Sequence, residues 1–557
     1  MQSHNIPDSR GSNFFQMDPY SEPLLRTYLP PSLYAHLLPV FTELGAAVGG
    51  RLDELADVAD KNAPTLSVRK RQGHDESVIR KHPAYVELEK MAYETLGLAA
   101  MSHRAGVLGW DQPFPPVAKY ALSHLFVQAE FGLCCPVSMT DSLARTLKRY
   151  GTPSLIEQVL PQLTAPDFAD LQQGAMFMTE QAAGSDVSAT EVVAEQMEDG
   201  QWQLTGDKWF CSNPDAGFAM VLARSEQEKG LKGVSLFLLP KWLEDGTHNH
   251  YRILRLKDKL GTRSMASGEI RLEGARAWLV GERGRGFQQM ADMINNSRLS
   301  NGMRAAGLMR RAVSEAVYFC SHRKAFGKRL IEMPLMQRQL VKMITRTEQA
   351  RTVMFQTAQA LEKSDAGDEF SRDLLRILTP LIKFRACRDA RVVTGDAMEV
   401  RGGCGYIEEW IEPRLMRDAH LGSIWEGTSN IVALDVLRAI RKSNGLAALQ
   451  THVERLLEEG RPCHPDYAKL QRDCVANAFA LARQVADTDD AAMARQVGSA
   501  LYHVISMAGM RWEARQVGLG SRAALADGVL LHRLAPRDPL SQMKFDESTQ
   551  EILAYAI

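Results

Sequence analysis

The sequence predicts a mainly helical chain with one β domain set into its middle and a further helical domain appended at its C-terminal end. Apolar residues recur three and four apart from His82 to Gln172, and again in long stretches after "GERGRGF". Between 174 and 280 that period gives way to short β-branched or aromatic segments bounded by Gly, Asp and Asn. At 557 residues the chain also exceeds what one hydrophobic core organises, so two to four structural units are expected.

Taken in order, residues 1–75 form an N-terminal extension. They are rich in Pro, Ser and Asn at the start, include "YLPPS", and carry a helix near Ser32 to Ala59. Residues 76–173 are a helical domain, with "YVELEKMAYETLGLAAM" and "KYALSHLFVQAEFGL" spaced for one apolar face. Residues 174–280 are a mostly antiparallel β domain, with candidate strands in "WQLTGDKWFCSN", "FAMVLARS", "GVSLFLLPK", "YRILRLKD" and "GEIRLEGARAWLVG". Residues 281–442 return to long helices, one with Leu340, Val341, Ile344, Val353, Met354 and Leu361 in a stripe. Residues 443–557 are Ala- and Leu-rich helix, broken near "GRPCHPD" and "APRDPL".

Lys+Arg 66 against Asp+Glu 67 leaves a formal charge of −1, which predicts no general attraction to nucleic acid or to an anionic membrane. No apolar run approaches the eighteen or so residues of a membrane span, and the N-terminus lacks the layout of a secretory signal, so a cytoplasmic protein is expected. The eight cysteines include no CxxC; reduced, mostly buried thiols are expected, with no metal site.

The chain has no GxSxG, HExxH or Walker loop, and "GERGRG" has the wrong spacing for a dinucleotide fingerprint. Four stretches remain. "MFMTEQAAGSDVSAT" offers small residues that allow backbone N–H groups to approach a phosphate. "GDKWFCSN" sets Phe210 beside Ser212, an aromatic with a polar neighbour that suits a planar ring. "SHRKAFGKRL" brings Arg323 close to Phe326 and Gly327, and a guanidinium can clamp phosphate. "SIWEGTSN" puts Glu426 before a Gly-Thr-Ser turn, either as a helix-capping detail or as a catalytic base. Taken singly, each has an ordinary structural reading: surface loop, core strand, basic turn or cap.

In order and with their separations, these segments resemble the acyl-CoA dehydrogenase family of FAD flavoproteins over roughly residues 80–442. "MTEQAAGSD" is similar to the family's TEPGAGSD, "GDKWFCSN" to its GxKxWITN, "DKLGTRS" to its DKLGxRxS and "RKAFGK" to its RxxFGK, with "EVRGGCGY", "RLMRDA" and "IWEGTSN" following. The resemblance implies an N-terminal helical domain, a central β domain and a four-helix domain. It implies FAD contacts within one subunit from Met178, Thr179, Gly184, Ser185, Phe210 and Ser212. Contacts to a neighbour's FAD would come from Arg323, Phe326, Glu399, Gly402 and Gly403, and hence a dimer of dimers, a homotetramer. Thr428 and Asn430 would touch flavin, Ser185 and Arg298 the acyl-CoA substrate, and Glu426 would be the base.

Removing hydrogen across Cα–Cβ of a thioester needs a carboxylate for the α-proton and a flavin N5 for the β-hydride. Fixed donors must meet the charge on the thioester oxygen, and apolar walls around the base would raise its pKa. The resemblance further implies a place in fatty acid metabolism, with an electron-transfer flavoprotein or another acceptor as partner.

The chain departs from the pattern at Gln181-Ala182, where the family has Pro-Gly, at Phe210 for Trp, at Glu399 for Gln and at Ala325 for Thr. The long N-terminal arm and the segment past 442 most resemble the AidB, alkylation-response branch, whose members are associated with DNA protection. Residues 443–557 hold 12 basic and 14 acidic residues, a poor footprint for duplex DNA. DNA binding is therefore disfavoured unless folding gathers Arg511, Arg515, Arg522, Arg533 and Arg537 on one face.

Overall fold

The computed structural model describes residues 5–536, 540 and 546–556 and divides into two units, Met1–Asp53 with Pro116–Ala129 and Arg298–Ile557, and Glu54–Pro115 with Glu130–Ser297. The N-terminal arm and the helix Pro116–Phe126 thus belong to the same unit as the C-terminal helices.

The second unit holds the β domain. Its strands follow a hairpin of β1 (Thr65–Arg69) and β2 (Asp75–Arg80), which falls where the sequence signalled no strand. They are β3 (Gly174–Phe177), β4 (Val193–Gln196), β5 (Trp202–Ser212), β6 (Phe218–Arg224), β7 (Val234–Pro240), β8 (Tyr251–Leu256) and β9 (Ser267–Leu279). The order is β3-β6-β4-β5-β9-β7, with β8 on β9; β6 also pairs with β7, so the sheet closes on itself. Pairing is antiparallel except for β3–β6 and β4–β6. Phe177, Trp202, Leu204, Val221, Phe237 and Ile270 fill the core.

Two register shifts in the β5–β9 ladder explain how the site residues point. The first passes Gly274, whose φ of 75° suits a residue without Cβ. The second lies between Lys208 and Cys211, which are both buried, and leaves Phe210 exposed. A regular two-residue alternation would have put Phe210 on the same inner face as Lys208.

The expected helix near Ser32 to Ala59 is two helices, Pro31–Gly49 in the first unit and Arg51–Lys61, which passes from the first unit into the second at Glu54, with the break at Gly50. Gly45 and Gly49 form a groove for the preceding segment: Phe14 N–H donates to Gly45 O at 3.0 Å and Gly11 N–H to Gly49 O at 2.7 Å. A Cβ on Gly49 would lie 1.9 Å from Ser12 O, so this approach demands glycine.

The helix Gly286–His322 from Arg298 onward and the helices Pro334–Asp365 and Glu369–Arg401 build the body of the first unit, and Leu340, Val341, Ile344, Val353, Met354 and Leu361 are buried as their spacing predicts. Past residue 442 come the helices Gly445–Glu459, Ala468–Asp487, Ala494–Val517, Gly520–Val529 and Asp546–Ala556. Both chain ends close on the helix Pro334–Asp365 through buried charge. Arg522 pairs with Glu348 and Glu513, Arg351 with Asp18 and Glu348, and Tyr28 donates to Glu513 at 2.7 Å. Burial alone would raise the Asp18 pKa, but the Arg351 and Arg310 guanidiniums outweigh it and hold the carboxyl below the usual range.

Arg511 and Arg522 are therefore interior residues, Arg511 being bound to Gln471 and Asp527, and they do not gather with Arg515 on an outer face; Arg537 lies outside the described residues. The eight cysteines are free thiols. Among the described residues no helix is long and apolar enough to cross a membrane, and no cluster could hold a metal ion.

Candidate active site

The second unit holds the loop that follows β3. Trp209 N–H donates to Thr179 O at 2.8 Å, which lays Met178 and Thr179 alongside Trp209 and Phe210 of β5. Beneath them Lys208, fully buried, donates to Glu180 Oε1 at 2.5 Å, Leu222 O at 2.7 Å and Met178 O at 3.4 Å. Glu180 also accepts from the N–H groups of Glu191 at 2.6 Å and Val192 at 3.2 Å, so one buried carboxylate ties both ends of the loop 180–191 together.

Within that loop Gly184 and Ser185 are exposed, and a Cβ on Gly184 would meet nothing within 4 Å. Met178, Thr179 and Ser212 are half-buried. Phe210 is 56% exposed, and Lys257 Nζ sits 4.8 Å from its ring and 3.5 Å from that of Trp209. This surface offers a ring, hydroxyls and an open glycine, which fits a planar cofactor with a polar edge.

The first unit holds Glu426. The helix Glu412–Gly422 ends before it and the helix Ser429–Lys442 starts after it with Thr428 as N-cap, so Glu426 lies two residues outside the capping position. Its φ is 56° and that of Gly427 is 96°, two successive residues in the left-handed region. The turn is held from the helical side: Arg298 Nε donates to Glu426 O at 3.1 Å, and Lys383 Nζ donates to Gly427 O.

Arg298 is anchored in turn by Asp435 Oδ2 at 2.7 Å, and Arg376 reaches the other oxygen of the same carboxylate at 2.7 Å. Fully buried Arg304 lies 4.7 Å from the Trp425 ring centroid. Three cations thus lie close together here, Arg298 and Lys383 on the carbonyls of the turn and Arg304 on the Trp425 ring. Burial lowers the Lys383 pKa to about 8. Thr428 and Asn430 are exposed, and the Thr428 side chain makes no capping bond.

Arg323 precedes a hairpin of β10 (Lys324–Ala325) and β11 (Lys328–Arg329) whose two-residue loop is Phe326–Gly327, at φ 51° and 78°. Two positive φ values suit a tight hairpin turn, and this one leaves Phe326 97% exposed. Glu399 is exposed near the end of the helix Glu369–Arg401, and Gly402 caps that helix at φ 71°. Cβ atoms on Gly402 or Gly403 would meet nothing within 4 Å. Behind them Arg401 is buried against Glu315 at 2.9 Å and Glu412.

Family models match along most of the chain: the adaptive response protein AidB N-terminal domain at residues 5–170, the acyl-CoA dehydrogenase middle domain at 175–275 and the acyl-CoA dehydrogenase C-terminal domain at 284–441. AidB of Escherichia coli (strain K12) is 35% identical over 72% of this chain and 73% of its own length. The chain belongs to the acyl-CoA dehydrogenase family.

Acyl-CoA dehydrogenase family member 11 of Caenorhabditis elegans is 32% identical over 80% of this chain and 73% of its own length. The crystal structure of Caenorhabditis elegans ACDH-11 in complex with C11-CoA superposes with a TM-score of 0.88 at 27% identity, covering 96% of this chain and 94% of that one. The family uses FAD, and the protein is an oxidoreductase of acyl-CoA dehydrogenase type. Lys208, Glu180, Arg304 and Lys383 carry no role in the sequence reading, although Lys208 and Glu180 stand inside "GDKWF" and "MTEQ", where charge in an apolar setting was the available signal.

Proposed function

We propose that this acyl-CoA dehydrogenase oxidises an acyl-CoA across Cα–Cβ, with Glu426 as the base that removes the α-proton. The observation that carries this reading is the setting of Glu426: it lies two residues outside the capping position, and its left-handed turn is held by two cations through consecutive carbonyls. Backbone strain held in place by its surroundings clusters at functional sites, which supports this reading.

In this reading Met178, Thr179, Gly184, Ser185, Phe210 and Ser212 hold FAD in their own subunit. Arg323, Phe326, Glu399, Gly402 and Gly403 serve the FAD of a neighbour, and Thr428 and Asn430 line the ring. When bound, FAD supplies the N5 position that accepts the β-hydride. Glu426 carries the carboxylate that takes the α-proton, and its own backbone N–H is a fixed donor for the thioester oxygen. Ser185 and Arg298 serve the substrate; in Arg298 that duty is joined to holding the turn.

The complex of ACDH-11 with C11-CoA supports an acyl-CoA as the substrate class. The exposed Phe326, Leu335 and Tyr406 support association into a homotetramer, since exposed apolar side chains mark interaction surfaces. The electron acceptor would be an electron-transfer flavoprotein or an equivalent, in the cytoplasm. This function is preferred over DNA protection because Arg511 and Arg522 are spent on buried ion pairs.

The test is Glu426→Gln, which keeps size and hydrogen bonding. Anaerobic flavin reduction by a good acyl-CoA is expected to fall by about 10²- to 10⁴-fold with FAD still bound. Reduction within about threefold of wild type would remove Glu426 as the base.

A further inference from the structure

We propose that Lys383 is a positioning residue for the base, its ammonium on Gly427 O acting with the Arg298 guanidinium on Glu426 O to lock the Glu426–Gly427 turn and keep a positive charge behind the carboxylate. This rests on the reading of Glu426 as the base and adds the device that sets its direction and charge state.

A left-handed Glu is disfavoured relative to the right-handed region because its Cβ crowds the following carbonyl, so the conformation needs something to hold it. Two carbonyls in succession provide the handles. Peptides are planar and trans, so fixing the carbonyls of residues 426 and 427 fixes the facing of the next two N–H groups as well. Rotation at Glu426 that would swing its side chain is thereby removed.

Arg298 Nε holds Glu426 O while Lys383 holds the next carbonyl, that of Gly427, the residue with the greater backbone freedom. The Lys383 side chain is 1% exposed on the helix Glu369–Arg401, and a buried ammonium is costly unless it serves a partner.

Its electrostatic company is specific. Cys387 stands on its own helix, Arg298 and Arg304 come from the helix Gly286–His322, and Glu426 faces it from the turn. The carboxylate and the ammonium each favour the other's charged form, while the two guanidiniums disfavour that of the ammonium. A neutral donor at 383 would hold the carbonyl but leave the carboxylate with less positive charge. Removing the cation therefore raises the pKa of the base, and the acid limb of the rate profile moves to higher pH.

The experiment uses full-length holoenzyme with Lys383→Met, which removes donor and charge at similar length, and Lys383→Gln, which keeps an N–H donor without charge. Anaerobic flavin reduction by a good acyl-CoA is measured across pH, together with FAD content, acyl-CoA Kd and melting temperature. Lys383→Met is expected to slow reduction by about tenfold or more at pH 7 and to move the acid limb up by about one unit, with FAD content and Kd within about threefold. Lys383→Gln is expected to move the limb similarly while losing less rate.

Reduction within about threefold of wild type, with the limb unmoved, would overturn the role; if the methionine variant does not fold, the glutamine variant is judged by its limb alone. Glu426→Gln in parallel separates the two readings. An inactive Glu426→Gln beside an unaffected Lys383→Met sinks the positioning role only, whereas an active Glu426→Gln sinks both.

Discussion

Replacing Lys208 with Met should destabilise the second unit and loosen FAD through one buried interaction. Lys208 Nζ satisfies Glu180 at 2.5 Å, Leu222 O at 2.7 Å and Met178 O at 3.4 Å with no exposure to solvent. Without it the Glu180 carboxylate remains buried with two backbone N–H donors, from Glu191 and Val192, and Leu222 O loses its charged donor. Breaking a buried pair by removing one partner costs about 3–5 kcal/mol, and the two remaining N–H bonds put this site near the lower end, about 3 kcal/mol. If about 1.4 kcal/mol of that falls on ordering the loop 180–191, FAD binding weakens by about tenfold. Chemical denaturation of the apoprotein and titration with FAD measure the two parts. The double variant Lys208→Met/Glu180→Gln should recover part of the stability, because a neutral amide needs no counter-charge and its oxygen still accepts from the Glu191 and Val192 N–H groups. A loss below about 1 kcal/mol in the single variant, or no recovery in the double, would refute the reasoning.

The Asp18 pKa is lowered in the folded chain, so its contribution to stability is full above the unfolded value near 4 and is lost as pH falls below it. Asp18→Asn should cost about 3 kcal/mol at pH 7 and flatten the acid part of the stability profile; an unchanged profile by denaturation across pH would count against the arm-docking role. Arg323→Ala should lower FAD retention and oligomer size, read from bound flavin and light scattering, and unchanged values for both would remove its cross-subunit role. Duplex DNA should bind weakly and with steep salt dependence; tight binding near physiological salt in a filter assay would promote the protective reading instead.

Local chemistry in the sequence determined the order of helical and β regions, the stripe Leu340 to Leu361, the ring-and-hydroxyl pair Phe210 and Ser212, and the candidacy of Glu426. Each depends on neighbours within a few residues, whose spacing sets which face is buried. The break at Gly50 and the hairpin β1–β2 were hidden because both arise from packing partners rather than from local preference: Gly45 and Gly49 admit the segment at residues 11–15, and β1–β2 rests on β8 through Ser77 Oγ at 3.2 Å from Ile253 N. The clamp on the Glu426–Gly427 turn belongs to tertiary structure alone. Arg298 and Lys383 reach residues 426 and 427 only because helices distant in sequence cross there, and Arg522 turns inward only because Glu348 and Glu513 meet it. A cation's sequence neighbours do not say which buried acceptor will compensate its loss of water, and that pairing decides whether it serves the surface, the core or the turn that carries Glu426.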